Sequence, residues 1–193
     1  MSLQTLIYIH GFNSSPGSHK ASVMAEYVTR YHPQTEIIIP ELPVSPAEAW
    51  AGLSELVRER SAKGSVGILG SSLGGFYATA LCEHFGCRAV LINPAVYPYE
   101  LLKDYIGEQT NPYTGERFTV KPEYMDELRS LAVPWLKHPQ QLWLLQQTGD
   151  EVLDYRQALD RYRFSRSTIE MGGDHSFTEF ERYPAQILRF LQG

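Results

Sequence analysis

The sequence predicts an α/β fold in which a doubly wound, mostly parallel sheet of about six strands is covered by helices on both faces. Two observations predict it. Short runs that are apolar on both faces alternate with helix-like runs along the 193 residues, and such strands are typical of parallel sheets buried on both sides. The glycine-rich segment GILGSSLGG at 67–75 also has the pattern of a tight turn from a strand into a helix.

Six segments read as strands and four as helices. Apolar runs predict strands at 6–9, 36–39, 66–69, 89–92, 142–145 and 167–171. Apolar residues at helical spacing predict helices around 24–31, after Ser45, after Ser72 and over about 180–191. Ser45-Pro46 followed by Glu48 has the form of a helix start, with the glutamate reaching back to the cap. Pro184 is expected to kink or restart the last helix.

Residues 97–139 interrupt this alternation. They contain no clear strand, they are rich in tyrosine and charge, and they include the turn-like NPYTG. We therefore expect a small helical insertion with the character of a lid after a strand end. No repeat and no second unit is evident, so we expect a single domain over 1–193.

Composition excludes several classes of function. The chain is 43% hydrophobic and 20% charged, with a net charge of −5 and scattered basic residues. This distribution favours neither nucleic-acid nor membrane binding. The start, MSLQTLIYIHG, lacks a basic segment and no apolar run is long enough to span a bilayer, so we expect a cytoplasmic protein. Cys82 and Cys87 have neither CxxC nor metal-ligand spacing and are expected to be free thiols.

The first candidate catalytic residue is Ser72, the centre of a G-x-S-x-G pattern. A nucleophile on a sharp strand-to-helix turn needs small residues two positions before and after it, because strand and helix meet there. For Ser72 these residues are Gly70 and Gly74, whereas for Ser71 both are leucines. A glycine-rich turn without chemistry is the alternative for the motif alone. The flanking strand-like and helix-like runs favour the nucleophile.

A serine hydroxyl needs a base, and His175 is the candidate. It lies in GGDHSF just after the last predicted strand, at the carboxyl edge of the sheet. Ser176 and Glu179 have the spacing of a capping box, which predicts that the final helix begins directly after His175. The other histidines are expected to be structural or solvated: His10, His19, His32, His84 and His138.

Three carboxylates compete for the role of orienting His175. Asp154 is followed by Gln157, so a helix N-cap explains it. Asp174 is adjacent to the histidine in the chain and is poorly placed to face its ring. Asp150 ends the fifth predicted strand in QTGDE, at the carboxyl edge. Asp150 is therefore the preferred acid, and the chain order serine, aspartate, histidine is the one that accompanies a strand-turn-helix nucleophile.

An oxyanion hole requires two hydrogen-bond donors. The residue after the nucleophile supplies one, the backbone N–H of Leu73. The loop after the first strand, HGFNSS at 10–15, is expected to supply the other. Gly11 allows a close approach to the substrate, so the backbone N–H of Phe12 is the predicted second donor.

These motifs make the sequence recognisable. It resembles the α/β-hydrolase superfamily and, within it, the small bacterial YqiA-like esterases. The residues that carry the resemblance span most of the chain: IHGFNSSPGSHKAS, GILGSSLGGFYAT, INPAV, NPYTG, WLLQQTGDEVLDYRQA and GGDHSF. The resemblance implies Ser72 as nucleophile, Asp150 as acid and His175 as base. It also implies a reduced fold, because only residues 1–5 precede the strand that ends in HG.

The function implied by this resemblance is hydrolysis of carboxylic (acyl) esters by a serine esterase, through an acyl-enzyme intermediate. No metal and no organic cofactor is expected, and the only predicted partner is the small-molecule substrate. An acyl-CoA thioesterase or an acyltransferase with the same triad is one alternative, with Lys103, Arg117 and Lys121 as candidates to meet a CoA phosphate. A non-catalytic binding module on a hydrolase fold is the alternative from another class.

Overall fold

The computed structural model describes residues 3–193, and these residues contain eight strands. They are β1 (Thr5–Ile9), β2 (Glu36–Ile38), β3 (Val66–Ser71), β4 (Arg88–Ile92), β5 (Gly107–Thr110), β6 (Arg117–Val120), β7 (Leu142–Gln147) and β8 (Arg166–Glu170). Six form one sheet in the order β2-β1-β3-β4-β7-β8, in which every neighbouring pair is parallel. Each lies where the sequence predicts a strand, and the predicted fold class is confirmed.

Helices cover both faces of this sheet. They are α1 (His19–Tyr31), α2 (Pro46–Ser61), α3 (Leu73–Phe85), α4 (Pro98–Leu101), α5 (Glu123–Leu131), α6 (Tyr155–Arg161) and α7 (Pro184–Gln192). Buried residues of α1 and α7 form one core with the sheet, and those of α2, α3, α5 and α6 form a second core.

The side chains of β1 show why its sequence is apolar throughout. Leu6 and Tyr8 belong to the core under α1 and α7, whereas Ile7 and Ile9 belong to the opposite core. Successive side chains of a strand point to opposite faces. A central strand of a doubly covered sheet therefore needs apolar residues at every position.

The segment between β4 and β7 is the predicted insertion, and it is not purely helical. It contains α4, α5, two 3₁₀ turns at Leu102–Tyr105 and Pro139–Gln141, and the antiparallel hairpin β5–β6. The sequence pattern did not reveal this hairpin, because its strands are short and largely polar (GEQT and RFTV). The Asn111 side chain donates to the Ser14 carbonyl at 3.0 Å, which ties the hairpin to the loop after β1.

The start of α2 shows a second difference in detail. The Ser45 side chain accepts from the Glu48 N–H at 3.3 Å, as the sequence predicts. Within residues 3–193, no hydrogen bond joins the Glu48 side chain to Ser45, and Glu127 on α5 contacts this helix start instead. Glu127 accepts from the Ser45 hydroxyl at 3.0 Å and from the Ala47 N–H at 2.9 Å, so the insertion is fastened to the helix that it covers.

The predicted start of the final helix is wrong. Glu179 has a left-handed backbone with φ of 59° and makes no side-chain cap, and a 3₁₀ turn follows at Phe180–Arg182. The helix α7 begins only at Pro184, where proline suits the first helical position. The capping-box pattern at 176–179 instead falls in a loop that other elements hold, as described below.

Across residues 3–193, no helix is long and apolar enough to cross a membrane.

Both cysteines are free, as the sequence predicts, and lie around the end of α3. Cys82 is buried and Cys87 is partly buried. Burial raises the pKa of both thiols, in the case of Cys87 to about 12. Since only the thiolate attacks disulfide reagents, both are expected to be nearly inert in the folded protein.

We therefore expect the folded chain at pH 8 to react with a disulfide reagent such as DTNB about 100-fold more slowly than the unfolded chain. In urea both thiols should react at the rate of an ordinary cysteine. A thiol of the folded protein that reacts as fast as in urea would contradict this burial.

Candidate active site

Ser72 occupies the sharp turn that the motif predicts. The strand β3 ends at Ser71 and α3 begins at Leu73, so Ser72 is the single residue between them. Its φ is 55° and its ψ is −120°, a conformation that L-residues rarely adopt and that costs about 1–3 kcal/mol. The surrounding packing has to impose this conformation, and it holds the hydroxyl out at the carboxyl edge of the sheet.

The glycines on either side of Ser72 permit that packing. A Cβ on Gly70 would lie 2.3 Å from the carbonyl oxygen of Gly74, and a Cβ on Gly74 would lie 2.0 Å from the carbonyl oxygen of Ile9. Neither position can hold a larger residue unless the backbone moves. The steric argument that selects Ser72 from the sequence thus has a direct counterpart in the structure.

Ser71 has a different environment. Ser71 is only 7% exposed, and its hydroxyl is hydrogen-bonded to Tyr8 inside the sheet. The side chains of the two adjacent serines therefore lie in different environments. Ser71 contributes to the interior, whereas Ser72 faces the cleft.

The structure brings Ser72, His175 and Asp150 together in one chain of hydrogen bonds. His175 Nε2 lies 3.1 Å from Ser72 Oγ, and His175 Nδ1 lies 3.0 and 2.9 Å from the two oxygens of Asp150. A carboxylate only accepts hydrogen bonds, so Nδ1 carries the proton and donates a hydrogen bond to Asp150. This tautomer leaves Nε2 as the acceptor for the Ser72 hydroxyl.

Asp150 is itself firmly held. Its side chain is fully buried, and one of its oxygens also accepts from the N–H groups of Val152 at 2.9 Å and Leu153 at 2.8 Å. Asp154 caps α6 instead, by accepting from the Arg156 N–H. Within residues 3–193, no hydrogen bond joins the carboxylate of Asp174 to the His175 ring. Of the three candidate carboxylates, the structure therefore places Asp150 against the histidine.

Asn93 fixes the loop that carries His175, and the sequence reasoning did not find this residue. It follows β4, is fully buried, and has φ of 39°. Its amide nitrogen donates to the carbonyls of Asp174 at 2.9 Å and His175 at 3.2 Å. Its oxygen accepts from the Gln146 side chain at 3.0 Å and the Gln147 N–H at 2.9 Å. The signal in the sequence was a polar residue directly after an apolar strand, but nothing there identified its partners.

Gln147 is a second buried anchor of the same loop. Its side-chain oxygen accepts from the N–H groups of Asp174 at 3.2 Å and Thr178 at 2.9 Å. A Cβ on Gly173 would lie 2.0 Å from that oxygen, and Gly173 has φ of 74°. The glycine before Asp174 is therefore needed both for its backbone conformation and for the close approach of Gln147.

Two charged side chains complete the support of the histidine loop. Glu151 accepts from the backbone N–H of His175 at 3.0 Å. Lys20 on α1 donates to the carbonyl of Ser176 at 2.7 Å. Burial lowers the pKa of Lys20 to about 8, while the carboxylates of Asp174 and Asp150 act in the opposite direction. The loop is thus held from the sheet, from the loop after β7 and from α1.

The two segments that carry the predicted oxyanion donors adjoin Ser72. A Cβ on Gly11 would lie 3.1 Å from Ser72 Cβ and 3.6 Å from Ser72 Oγ, so the loop after β1 touches the nucleophile. Within residues 3–193, the N–H groups of Phe12 and Leu73 have no backbone acceptor. Leu73 is the first residue of α3, whose N–H lacks a partner within the helix. An N–H group that is to bind a substrate oxygen has to lack a backbone acceptor, and both predicted donors meet this requirement.

Comparison with known proteins places the chain in a family. A family model described as "Uncharacterised protein family (UPF0227)" matches residues 5–192. A solved structure from Agrobacterium vitis S4 covers 98% of this chain and 88% of its own, with a TM-score of 0.76 and 18% identity.

Two further solved structures share the fold. Est1E from Butyrivibrio proteoclasticus, with ferulic acid bound, has a TM-score of 0.70 and 12% identity over 98% of this chain and 88% of its own. Mouse alpha/beta hydrolase domain-containing protein 10 has a TM-score of 0.69 and 17% identity over 96% and 87%. At these identities the similarity establishes the α/β-hydrolase fold and nothing further.

The packing around Ser72 predicts a large effect of one added methyl group. Gly74→Ala should lower the free energy of unfolding in urea by about 3 kcal/mol, because its Cβ meets backbone atoms that cannot move aside cheaply. Gly52→Ala is the matched control, since no atom lies within 4 Å of a Cβ there. It should instead raise stability by about 0.5–1 kcal/mol, because glycine is unfavourable inside a helix. Equal effects of the two substitutions would contradict the close packing of the turn.

The contacts of Asn93 predict that it positions His175. Asn93→Gly removes the amide but tolerates the positive φ, so it separates the lost clamp from backbone strain. We expect phosphonylation of Ser72 by a fluorophosphonate to slow by about tenfold or more. The pH dependence of the residual rate should change as well, which a purely structural role would not produce. An unchanged rate and pH profile would show that the clamp is dispensable.

Proposed function

The chain belongs to the UPF0227 family and has the α/β-hydrolase fold, and we propose that it is a serine esterase acting on carboxylic esters. The observation that carries this proposal is the continuous hydrogen-bonded chain from Asp150 through His175 to Ser72. A buried carboxylate, an imidazole and a strained serine in this order form the arrangement that activates a hydroxyl for acyl transfer.

The first half of the reaction forms the acyl-enzyme. His175 Nε2 accepts the proton of the Ser72 hydroxyl while Oγ attacks the ester carbonyl carbon. The carbonyl oxygen becomes negatively charged and accepts hydrogen bonds from the N–H groups of Phe12 and Leu73. The carbon–oxygen bond to the alcohol then breaks, and His175 gives its proton to that alcohol.

The second half repeats these steps with water. His175 accepts a proton from water, which attacks the acyl carbon, and the same N–H groups hold the oxyanion. The bond to Ser72 Oγ breaks, Oγ regains its proton from His175, and the carboxylic acid leaves. Asp150 stabilises the imidazolium in both halves and keeps the productive tautomer without itself taking a proton.

The contacts of the insertion support a role for this segment in covering the substrate. The ring of Phe12, beside the proposed oxyanion site, packs edge-to-face on two aromatic rings of the insertion. The distance between ring centroids is 5.4 Å to Tyr105 and 5.9 Å to Phe118 of the hairpin. The segment at 97–139 therefore packs directly on the loop that is proposed to bind the substrate oxygen. We assign it the role of a lid over the acyl side of the cleft.

The alternatives use the same site or none of it. A thioesterase or acyltransferase would differ in leaving group or acceptor, but no described contact specifically favours a CoA phosphate. Lys103, one candidate for that contact, is already paired with Glu100. A binding module would need no aligned triad, so the hydrogen-bonded chain favours catalysis over binding alone.

Ser72→Ala is the direct test of the proposed nucleophile. It should lower kcat for p-nitrophenyl acetate by about 10⁴-fold or more, because no acyl-enzyme can form. Ser71→Ala is the matched control and should keep catalysis within about tenfold, since Ser71 lies inside the sheet and outside the proposed triad. A fluorophosphonate should label wild type at Ser72 in a 1:1 ratio. Equal rates of wild type and Ser72→Ala would favour the binding module, and faster turnover of acyl-CoA would favour the thioesterase.

Two aspartates give a second matched pair. Asp150→Asn should lower kcat by about 10⁴-fold, because an amide can donate to the imidazole and select the wrong tautomer. Asp154→Asn should have little effect on kcat, since asparagine caps a helix about as well as aspartate. A larger loss from the Asp154 substitution than from the Asp150 substitution would overturn the assignment of the acid.

A further inference from the structure

A cavity lies between α3, α6 and the insertion. Its volume is about 390 Å³, which is in the range of sites for small organic ligands. Apolar side chains form part of its wall, among them Phe76 of α3, Leu131 of α5 and Val133. No member of the proposed triad lines this cavity. A ligand here would therefore bind apart from the triad, whatever reaction the triad catalyses.

Two arginines line the cavity, and both belong to helix ends. Arg129 lies in the last turn of α5, and Arg161 is the last residue of α6. Among residues 3–193, the lining of the cavity contains neither aspartate nor glutamate. A wall with two positive charges and no negative charge attracts anions and repels cations.

Tyr99 connects the two arginines at this wall. The Cζ atom of Arg129 lies 5.3 Å from the centroid of the Tyr99 ring. Burial raises the pKa of the Tyr99 hydroxyl, while the positive charges of Arg129 and Arg161 act in the opposite direction. Both guanidinium groups therefore lie within electrostatic range of one hydroxyl. That hydroxyl is a further hydrogen-bond donor for an anion.

The charge of Arg161 is not neutralised by a carboxylate. Its guanidinium donates to the carbonyls of Val133 and Pro134, the latter at 3.0 Å. Within residues 3–193 it forms no salt bridge. A neutral carbonyl orients a guanidinium but leaves its charge in place. Since a guanidinium has five N–H donors, three remain after these two bonds.

Arg129 belongs to a cluster of charges that is positive in sum. It donates to Asp126 at 2.9 Å and to Glu100 at 3.3 Å. Glu100 also accepts from Lys103. Together with Arg161, the cluster has three cations and two carboxylates, so one positive charge is in excess. This excess is local, because the chain as a whole carries a net charge of −5.

These groups can be reached from solvent. The Arg129 side chain is 42% exposed, and Arg161 and Tyr99 are partly exposed. Exposed ion pairs such as those of Arg129 contribute little free energy. A ligand can therefore compete with Asp126 and Glu100 for part of the guanidinium.

We propose that this cavity is a binding site for a small organic anion, one that carries a carboxylate or phosphate group. Its oxygens accept hydrogen bonds from the guanidinium groups of Arg161 and Arg129 and from the Tyr99 hydroxyl. A guanidinium suits this role because it offers parallel N–H donors to two oxygens of one group. The apolar remainder of the ligand packs against the wall that includes Phe76 and Leu131.

A purely structural role is the rival explanation for both arginines. Arg161 connects α6 to the segment after α5, and Arg129 connects α5 to Glu100 of α4. Such connections need no ligand. The two explanations therefore predict different behaviour toward small anions.

The test is an amide NMR titration of the isotope-labelled wild-type protein with four phenyl compounds: benzoate, phenyl phosphate, benzyl alcohol and benzylamine. They share the ring and differ in charge and in the presence of an oxyanion. The titration gives Kd and also locates the ligand. Shifts at residues 129–133 and 161–162 report the cavity, whereas shifts at 11–13 and 72–73 report the proposed catalytic cleft, which benzoate could enter as a product analogue.

We expect at least one of the two anions to bind in the cavity about tenfold or more tightly than the alcohol and the amine. Arg161→Gln and Arg129→Gln should each weaken this binding by about tenfold. Arg163→Gln is the matched control, because Arg163 carries the same charge near the end of α6 but does not line the cavity. Arg129→Gln remains informative if Arg161→Gln does not fold, since Arg129 lies on the surface.

Each result has a defined meaning. A preference for benzoate supports a carboxylate ligand, and a preference for phenyl phosphate supports a phosphate ligand. Benzyl alcohol or benzylamine that binds as tightly as both anions would overturn the recognition of negative charge. Anion binding that both variants retain in full, or that Arg163→Gln weakens equally, would overturn the role of the two arginines. Shifts confined to the catalytic cleft, or no shift with either anion at millimolar concentration, would overturn the site.

Discussion

The site depends on one backbone constraint, the positive-φ conformation of Ser72 between β3 and α3. Such a conformation persists only where the surroundings leave no alternative. Here Gly70 and Gly74 let strand and helix approach until a side chain on either would overlap backbone atoms. The backbone N–H of Ser72 also donates to the Ile92 carbonyl at 3.0 Å, and its carbonyl accepts from Ala95 at 3.0 Å. Main-chain contacts therefore hold the proposed nucleophile in place, and its side chain is not needed for this purpose.

The position of His175 depends instead on buried side-chain amides. Asn93 and Gln147 use nearly all of their hydrogen-bonding capacity on the loop at 174–178 and on the sheet beneath it. Buried polar groups are costly when unpaired and rigidify a structure when fully paired. The histidine thus rests on a satisfied network, while Asp150 is oriented separately by the turn after β7. These supports let three residues that are distant in sequence meet within hydrogen-bonding distance.

The insertion between β4 and β7 relates this rigid site to a substrate. The hairpin contacts Phe12, and Glu127 of α5 accepts hydrogen bonds at the start of α2. The insertion is therefore bound to the rest of the domain at two places. Together with the loop after β1 it borders a pocket that is lined by Phe12, Leu73 and Phe118, among other residues. In the proposed reaction the core carries the triad, and the insertion packs on the loop that carries one proposed oxyanion donor.

Sequence pattern alone predicts the six strands, the turn at Ser72 and the placement of Asp150 and His175 at one edge of the sheet. Apolar runs and steric limits on glycine are local, so they can be read without knowing what packs against them. Three features are visible in the folded molecule alone: the late start of α7, the hairpin in the insertion, and the roles of Asn93 and Gln147. The hairpin strands are too short and too polar to show a strand pattern. The roles of Asn93 and Gln147 depend on partners far away in the chain, and a polar residue gives no local sign of which distant carbonyl or amide it will meet.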